Sequence, residues 1–130
     1  MKYLLDVNAL LAAIWATHAN HSKVDAWVEG RRLVTCPLTE LGFLRISTHP
    51  KALNSTMTSA RELLNDFLER NSVEFQAADL RALQSKAANS NSNSVTDSYL
   101  AELAGSKGMK LATLDTGIVH PAVEVIRDGQ

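Results

Sequence analysis

The sequence predicts an α/β fold, a three-layer sandwich with a central parallel sheet. Short apolar runs alternate with amphipathic helical patterns along the chain, and neither an internal repeat nor a linker separates two cores. Strands that are joined through helices run parallel, and a parallel sheet needs cover on both faces. Because 130 residues suit one compact domain, we expect a single domain over residues 1–130.

The first strand and two helices follow from the apolar spacing. Lys2–Leu5 is a short apolar run typical of a buried strand. Apolar residues over Val7–Ile14 then recur at the i, i+3, i+4, i+7 spacing of a helix. A second helix is predicted over His21–Glu29, because Gly30 suits the position just after a helix end.

The middle of the chain repeats the alternation. Leu33–Cys36 is the second predicted strand, and Pro37 can open the next helix because its missing N–H would be unpaired there. The pair His49-Pro50 ends that helix. Another amphipathic helix contains Ala60–Leu68 and is entered through the hydroxyl residues of Ser55–Ser59.

Three strands and two helices are predicted between Val73 and Ile126. Val73–Phe75 is a weak strand, and helices are expected over Asp79–Ala88 and Val95–Ser106. Between them lies the Asn/Ser tract 89–94, whose side chains compete for backbone hydrogen bonds and favour a loop. The closing strands are Met109–Leu114 and Val123–Ile126.

Composition excludes several classes of protein. Thirteen basic and fourteen acidic side chains give a net charge of −1, so any nucleic acid must be attracted by a local patch or by bound cations. The single cysteine, Cys36, excludes an internal disulfide framework and a cysteine-rich zinc site. No apolar run approaches 18 residues and Asp6 interrupts the N-terminal one, so we expect no membrane segment, no secretory signal and a cytoplasmic protein.

Four acidic residues follow or open elements at one predicted edge of the sheet. Asp6 and Asp115 directly follow strands, Glu40 lies in the first turn after the second strand, and Asp97 opens the last helix. Because the carboxyl ends of parallel strands share one edge, these carboxylates are expected to be neighbours. The sequence therefore predicts an acidic cluster.

Each acid also has a structural explanation. Asp6 can cap a helix, Glu40 can complement a helix dipole, Asp97 can complete a capping box, and Asp115 can form a turn. Clustering, however, is costly, since two unit charges 4 Å apart repel by about 4 kcal/mol at an effective dielectric of 20. A hard divalent cation such as Mg²⁺ or Mn²⁺ relieves this repulsion. His18 and His21 are expected to face solvent rather than to bind metal.

Four segments, in order and at fitting intervals, resemble the PIN-domain nucleases. They are LLDVNALLAA at Leu4–Ala13, CPLTELGFLR at Cys36–Arg45, VTDSYLAELA at Val95–Ala104 and LATLDTG at Leu111–Gly117. The similarity is strongest to the VapC toxins of bacterial VapBC toxin–antitoxin pairs. The resemblance implies an α/β sandwich, a Mg²⁺- or Mn²⁺-dependent endoribonuclease, a homodimer and inhibition by a small VapB-like antitoxin.

The resemblance also assigns roles to residues of this chain. The matches to the family's acidic quartet, taken as catalytic, are Asp6, Glu40, Asp97 and Asp115. Within this quartet we assign the metal to Asp6, Asp97 and Asp115, and the attacking water to Glu40. The residues expected to support them are Asn8, Thr39, Thr113 and Thr116. Many relatives carry an acid or amide where this chain has Gly117, which puts a complete second metal site in doubt.

Two further surfaces are candidates for partners. Arg45, on the same predicted helix as Glu40, is the first candidate for an RNA backbone contact. Trp15 and Trp27 lie on early helices, where an antitoxin helix could enter a groove, although core packing is the favoured interpretation.

The main alternative is a non-catalytic PIN-like module that binds RNA without cutting it. A haloacid-dehalogenase-like phosphatase is disfavoured, because it would need a second acid where this chain has Asn8. A phosphoacceptor receiver domain is also disfavoured, because only Asp6 follows the first strand and the third strand ends in Phe75-Gln76.

Overall fold

The computed structural model describes residues 1–85 and 91–129. Five strands form one sheet: β1 (Lys2–Leu5), β2 (Arg32–Thr35), β3 (Glu74–Phe75), β4 (Lys110–Thr113) and β5 (Val123–Val125). The α-helices are α1 (Val7–Ile14), α2 (His21–Val28), α3 (Pro37–Thr48), α4 (Met57–Arg70) and α5 (Val95–Ser106). The strand order is β3-β2-β1-β4-β5, and every pair is parallel.

Helices cover both faces of the sheet, as predicted for a three-layer sandwich. One face packs against α1, α2, α3 and α4 through inward side chains that include Leu5, Leu33 and Ala112. The opposite face packs against α5 through the alternate strand positions, which include Leu4, Val34 and Leu111. The period of two along each strand therefore divides the core into two clusters.

The contact between α1 and α3 is close because α3 carries a glycine there. A Cβ atom built on Gly42 would lie 2.5 Å from Cγ2 of Val7, a distance that real Cβ contacts do not reach. Gly42 is buried within α3, and Val7 is the first residue of α1. The absence of a side chain at Gly42 therefore sets the spacing between the two helices that follow β1 and β2.

The prediction of a helix over Asp79–Ala88 is wrong for the described part of that range. Its only helical turn there is a 3₁₀ turn at Ala82–Gln84, and residues 86–88 lie outside the described residues. Tertiary contacts hold the segment, because the Tyr99 hydroxyl donates to the Leu80 carbonyl at 2.5 Å and Leu80 packs on the second core cluster. Intrinsic helix preference is a weak term against such contacts.

Several element boundaries also differ from prediction by one residue. The second strand ends at Thr35 rather than Cys36, because Cys36 is extended and serves as the N-cap of α3, where its N–H is bound by Thr39 Oγ1 at 3.1 Å. In the Asn/Ser tract, residues 89 and 90 lie outside the described residues, while 91–94 form a turn closed by the Asn91 side chain.

Among the described helices, none has the length and apolar character needed to span a membrane.

Candidate functional site

Asp6 is a buried carboxylate at the carboxyl end of the central strand. It follows β1, and its backbone N–H donates to the Ala112 carbonyl of β4 at 3.1 Å. Its Oδ1 accepts the Ala9 N–H at 2.7 Å, so Asp6 caps α1 as one of the structural explanations predicted. The pKa of Asp6 is raised to about 6, chiefly by burial and to a smaller extent by the charges of Asp97 and Asp115, against the lowering effect of its two hydrogen bonds.

Thr113, the last residue of β4, connects Asp6 to Asp115. Its hydroxyl donates to Asp6 Oδ2 at 2.5 Å and accepts the Asp115 N–H at 3.0 Å. The Asp115 carboxylate in turn accepts the Gly117 N–H at 2.8 Å, which is the turn that the sequence suggested. The loop after β4 is thereby held in a conformation that keeps Asp115 close to Asp6.

Asp97 reaches the same place from α5. It lies in the first turn of that helix, but the predicted capping box is wrong, because the Ser94 side chain makes no cap and instead donates to Asn91 Oδ1 at 3.1 Å. Burial raises the pKa of Asp97, and the charge of Asp115 adds to the shift. Helix α5 therefore places Asp97 close enough to Asp6 and Asp115 for the negative charges to repel one another.

These three carboxylates line one cavity of about 590 Å³, here called the acid cavity. Its described lining residues are Asp6, Val7, Asn8, Leu11, Asn20, Ile46, Asp97, Leu114 and Asp115. No lysine or arginine is among these nine residues, so the described lining supplies no positive charge to offset the carboxylates. Like charges near one another in a partly buried space need protons or cations to be tolerated.

Glu40 lies outside this set. It is in the first turn of α3 at the same edge of the sheet, where the Thr35 hydroxyl donates to Glu40 Oε2 at 2.7 Å. Among the described residues that line the acid cavity, Glu40 is missing, so the structure brings together three of the four acids expected to be neighbours. Thr35 was not predicted, since a threonine in a β-strand carries no signal of its own.

The predicted supporting residues fall into different places. Asn8 lines the acid cavity, and its Oδ1 is 3.0 Å from His18 Nε2. His18 is half-buried rather than solvent-facing, and burial lowers its pKa. Thr39 is buried and hydrogen-bonds only locally, through the N–H and carbonyl of Cys36 at 3.1 and 3.0 Å, so it caps α3. Thr116 is exposed and does not line the acid cavity.

The remaining candidates are not among the described lining residues of the acid cavity. Arg45 is exposed in the last turn of α3. Trp27 is buried in the core, in agreement with the favoured interpretation, while Trp15 is half-buried and donates its indole N–H to Ser47 Oγ at 2.9 Å. Cys36 is fully buried, as expected for a packing residue.

The donor chemistry of the acid cavity suits a hard divalent cation. Its charged groups are carboxylates, the ligands that Mg²⁺ and Mn²⁺ prefer. Within residues 1–85 and 91–129, however, no group of three or more His, Cys, Asp or Glu side chains is arranged to hold a metal ion directly. The residues therefore fit such an ion when water molecules complete its ligands, which is usual for Mg²⁺.

Comparison with known proteins gives a consistent assignment. The family model of the PIN domain matches residues 3–124. The chain is 36% identical to Ribonuclease VapC38 of Mycobacterium tuberculosis, over 88% of this chain and 86% of that protein. It is 31% identical to Ribonuclease VapC44 of the same organism, over 95% and 92% of the two chains.

Solved structures agree on the fold. A match covers 96% of this chain and 98% of a chain in the crystal structure of VapBC2 from Rickettsia felis bound to a DNA fragment from their promoter. The TM-score is 0.63 at 14% sequence identity. At that identity the likeness bears on the fold alone.

Proposed function

The chain belongs to the PIN domain family, and on that premise we propose that it is an endoribonuclease, the toxin of a type II toxin–antitoxin pair. Two relatives that cover nearly the whole chain are ribonucleases by name. The observation that carries the proposal is the acid cavity, where Asp6, Asp97 and Asp115 converge with no lysine or arginine among the described lining residues.

Ribonucleases of this family depend in general on divalent metal ions, and we propose Mg²⁺ or Mn²⁺ for this chain. Asp6, Asp97 and Asp115 would hold the ion, in part through water. Asp6 can still take part, because each carboxylate oxygen accepts about two hydrogen bonds and only one on each is used by Ala9 and Thr113. Once bound, the ion supplies Lewis-acid polarisation of the phosphate and lowers the pKa of water.

The chain's own residues orient the reactants. Asp6 is fixed in one rotamer by its two hydrogen bonds, so it enters the reaction already positioned. Asn8 has its Oδ1 engaged by His18, which leaves its amide N–H₂ to donate to a phosphate oxygen. Gly117, whose N–H holds Asp115, takes the place of the acid or amide of many relatives, and we therefore propose one principal metal position.

Glu40 is proposed to hold the attacking water and to receive its proton. Glu40 is not part of the described lining of the acid cavity, and Thr35 keeps its carboxylate at the end of β2, the strand that pairs with β1. Attack of that water on phosphorus breaks the bond to the 3′ oxygen, which leaves with a proton. The products are a 3′-hydroxyl and a 5′-phosphate, and no cyclic intermediate is needed.

Three partners are proposed from the family: an antitoxin, an RNA substrate and a second copy of the chain. The solved relative from Rickettsia felis is a VapBC complex with promoter DNA, and we propose a VapB-like antitoxin as the inhibitor of this chain. We also propose an RNA substrate and a homodimer. Specific RNA targets usually present unpaired bases, and the near-neutral charge of this chain leaves phosphate recognition largely to cations.

One observation favours the alternative, a PIN-like module that binds RNA without cutting it. Among the described residues no three metal-binding side chains are gathered tightly enough to hold an ion directly. A purified sample of the chain incubated with total RNA and Mn²⁺ or Mg²⁺ distinguishes the two functions. Cleavage that stops with EDTA supports the nuclease, whereas binding without cleavage supports the module.

Single substitutions test which acidic residues are needed for cleavage. Asp97→Asn and Glu40→Gln are expected to reduce cleavage at least about a hundredfold while circular dichroism shows an intact fold. Glu69→Gln removes the same charge from an exposed position on α4, a helix with no residue in the described lining of the acid cavity, and is expected to leave cleavage unchanged. Undiminished cleavage by Asp97→Asn would defeat the assignment of the acid cavity.

A further inference from the structure

A second cavity, of about 400 Å³, adjoins the acid cavity. Asp97 and Asp115 line both, so the two spaces meet at these carboxylates. The second cavity, here called the base cavity, also has walls from α5, including Ser98 and Glu102, and from residues 118–120 of the loop after β4. A strand held with its phosphate at the acid cavity therefore has a neighbouring nucleotide within reach of this space.

Glu102 is held in one orientation at the wall of the base cavity. Its Oε2 lies 3.0 Å from Nε2 of His120. The other ring nitrogen of His120 accepts the Ala122 N–H at 3.0 Å, so Nε2 carries the N–H that is donated to Glu102. This contact holds the Glu102 carboxylate at the wall of the base cavity as a hydrogen-bond acceptor.

The base cavity combines apolar and polar walls. Ile118 and Val119 bring apolar side chains to it, and Val119 is 98% exposed, so no part of the described chain covers it. Asn93, Ser98 and Glu102 contribute polar groups. A flat ring that is apolar on its face and polar at its edge matches these walls, whereas a phosphate would be repelled by the carboxylates.

We propose that the base cavity binds an unpaired guanine of the RNA substrate, next to the bond that is cut. Glu102 accepts the N1–H and an N2–H of the base, a bidentate contact on its Watson–Crick edge. Guanine is the base with two adjacent donors on that edge. Adenine and cytosine present one amino group beside a ring nitrogen that repels a carboxylate. Glu102 then determines specificity, and the inference rests on the proposed ribonuclease function.

The test uses labelled uridine decamers that carry one central guanosine, inosine or adenosine, incubated with Mn²⁺ or Mg²⁺. The wild type is expected to cut beside guanosine at least about tenfold faster than in the all-uridine decamer. Inosine lacks the N2 amino group and is expected to lose about threefold or more of that preference. In Glu102→Gln, which replaces an acceptor oxygen by a donor, the preference should fall below about threefold.

Glu69→Gln is the matched control, because it makes the same change of charge on the exposed side of α4 and should keep the guanosine preference. Thermal unfolding of each variant shows whether the fold is intact. A guanosine preference that persists unchanged in folded Glu102→Gln overturns the inference, and so does a wild type that cuts all decamers alike. Both results leave the ribonuclease function standing.

A wild type that cuts neither the decamers nor total RNA contradicts the proposed function instead. Fluorescence anisotropy of the same decamers then tests the base cavity separately. Binding of the guanosine decamer at least about tenfold tighter to the wild type than to Glu102→Gln supports the inference. Equal binding to the two proteins overturns it.

Discussion

The Thr113 hydroxyl donates a hydrogen bond of 2.5 Å to Oδ2 of Asp6, at the carboxyl ends of two adjacent parallel strands. The same hydroxyl accepts the Asp115 N–H, so one small side chain fixes two of the three carboxylates of the acid cavity. Because the bond favours the ionised carboxylate, it lowers the pKa of Asp6 against the effect of burial. Thr113 is therefore a positioning residue in the proposed site.

Replacing Thr113 by valine is expected to disturb this arrangement while keeping its shape. Thr113→Val leaves Asp6 Oδ2 and the Asp115 N–H without their partner, at a cost of about 1–3 kcal/mol in the free energy of unfolding. It also raises the pKa of Asp6, so the acid limb of the pH–rate profile should move to higher pH. Thr113→Ser retains the hydroxyl and should retain the profile. Identical profiles for all three proteins would contradict the role of the hydrogen bond.

The raised pKa of Asp6 predicts a pH dependence of stability in EDTA. The folded state holds the Asp6 proton more tightly than the unfolded state, whose pKa is near 3.8. The stability from that proton is present below pH 4 and is lost as the pH rises through about 6, by up to about 3 kcal/mol. Asp6→Asn lacks this loss and is expected to unfold at higher temperature than the wild type at pH 7.

Chemical denaturation of both proteins between pH 4 and pH 8 measures the effect, since subtraction removes the contribution of the other titrating groups. The difference in the free energy of unfolding should grow with pH and level off above pH 7. Addition of Mn²⁺ at pH 7 should raise the unfolding temperature of the wild type more than that of Asp6→Asn. A difference that is independent of pH would contradict the raised pKa.

The close contact of α1 and α3 predicts the effect of a single methyl group. Gly42→Ala places a Cβ atom 2.5 Å from Val7, and the helices must separate, at a cost of about 1–3 kcal/mol. Since Val7 lines the acid cavity and α3 carries Glu40, cleavage should fall as well. Gly105→Ala on α5 is the control, because its Cβ meets atoms only at 3.5 Å. It should unfold at a temperature equal to or above that of the wild type.

Arg45 provides a prediction on RNA binding. Its side chain is exposed on α3, the helix that carries Glu40, and a phosphate contact there acts through charge alone. Arg45→Ala should raise KM with little change in kcat and should reduce the slope of log KM against log salt by about 1. Arg70→Ala removes an exposed arginine paired with Asp66 on α4 and should leave that slope unchanged. Equal slopes for the two variants would exclude Arg45 from the RNA contact.

The sequence predicted which acids lie at one edge of the sheet better than it predicted the hydrogen bonds that orient them. Asp6, Asp97 and Asp115 could be placed together because parallel topology alone brings strand ends to one edge. The partners that orient the acids could not, since the Thr35 contact to Glu40 and the Thr113 contact to Asp6 depend on side-chain rotamers. No pattern of spacing encodes such contacts between distant residues.

Predictions from local sequence also failed where contacts between distant residues determine the conformation. The 79–85 segment has helical residue types, but its contact with Tyr99 accompanies an irregular backbone outside one short 3₁₀ turn. Thr39 stands beside Glu40 in sequence, and this adjacency suggested a role in the site. Its hydroxyl instead accepts the Cys36 N–H and donates to the Cys36 carbonyl. These bonds close the first turn of α3, where backbone N–H groups have no partner within the helix.

Among the described helices, α5 alone covers the second face of the sheet, and it carries both Asp97 and Glu102. Partial opening of this one layer would disassemble the acid cavity and the base cavity together while the four-helix layer stayed folded. Native-state amide exchange should then find α5 among the least protected helices. Loss of function on mild heating would precede global denaturation.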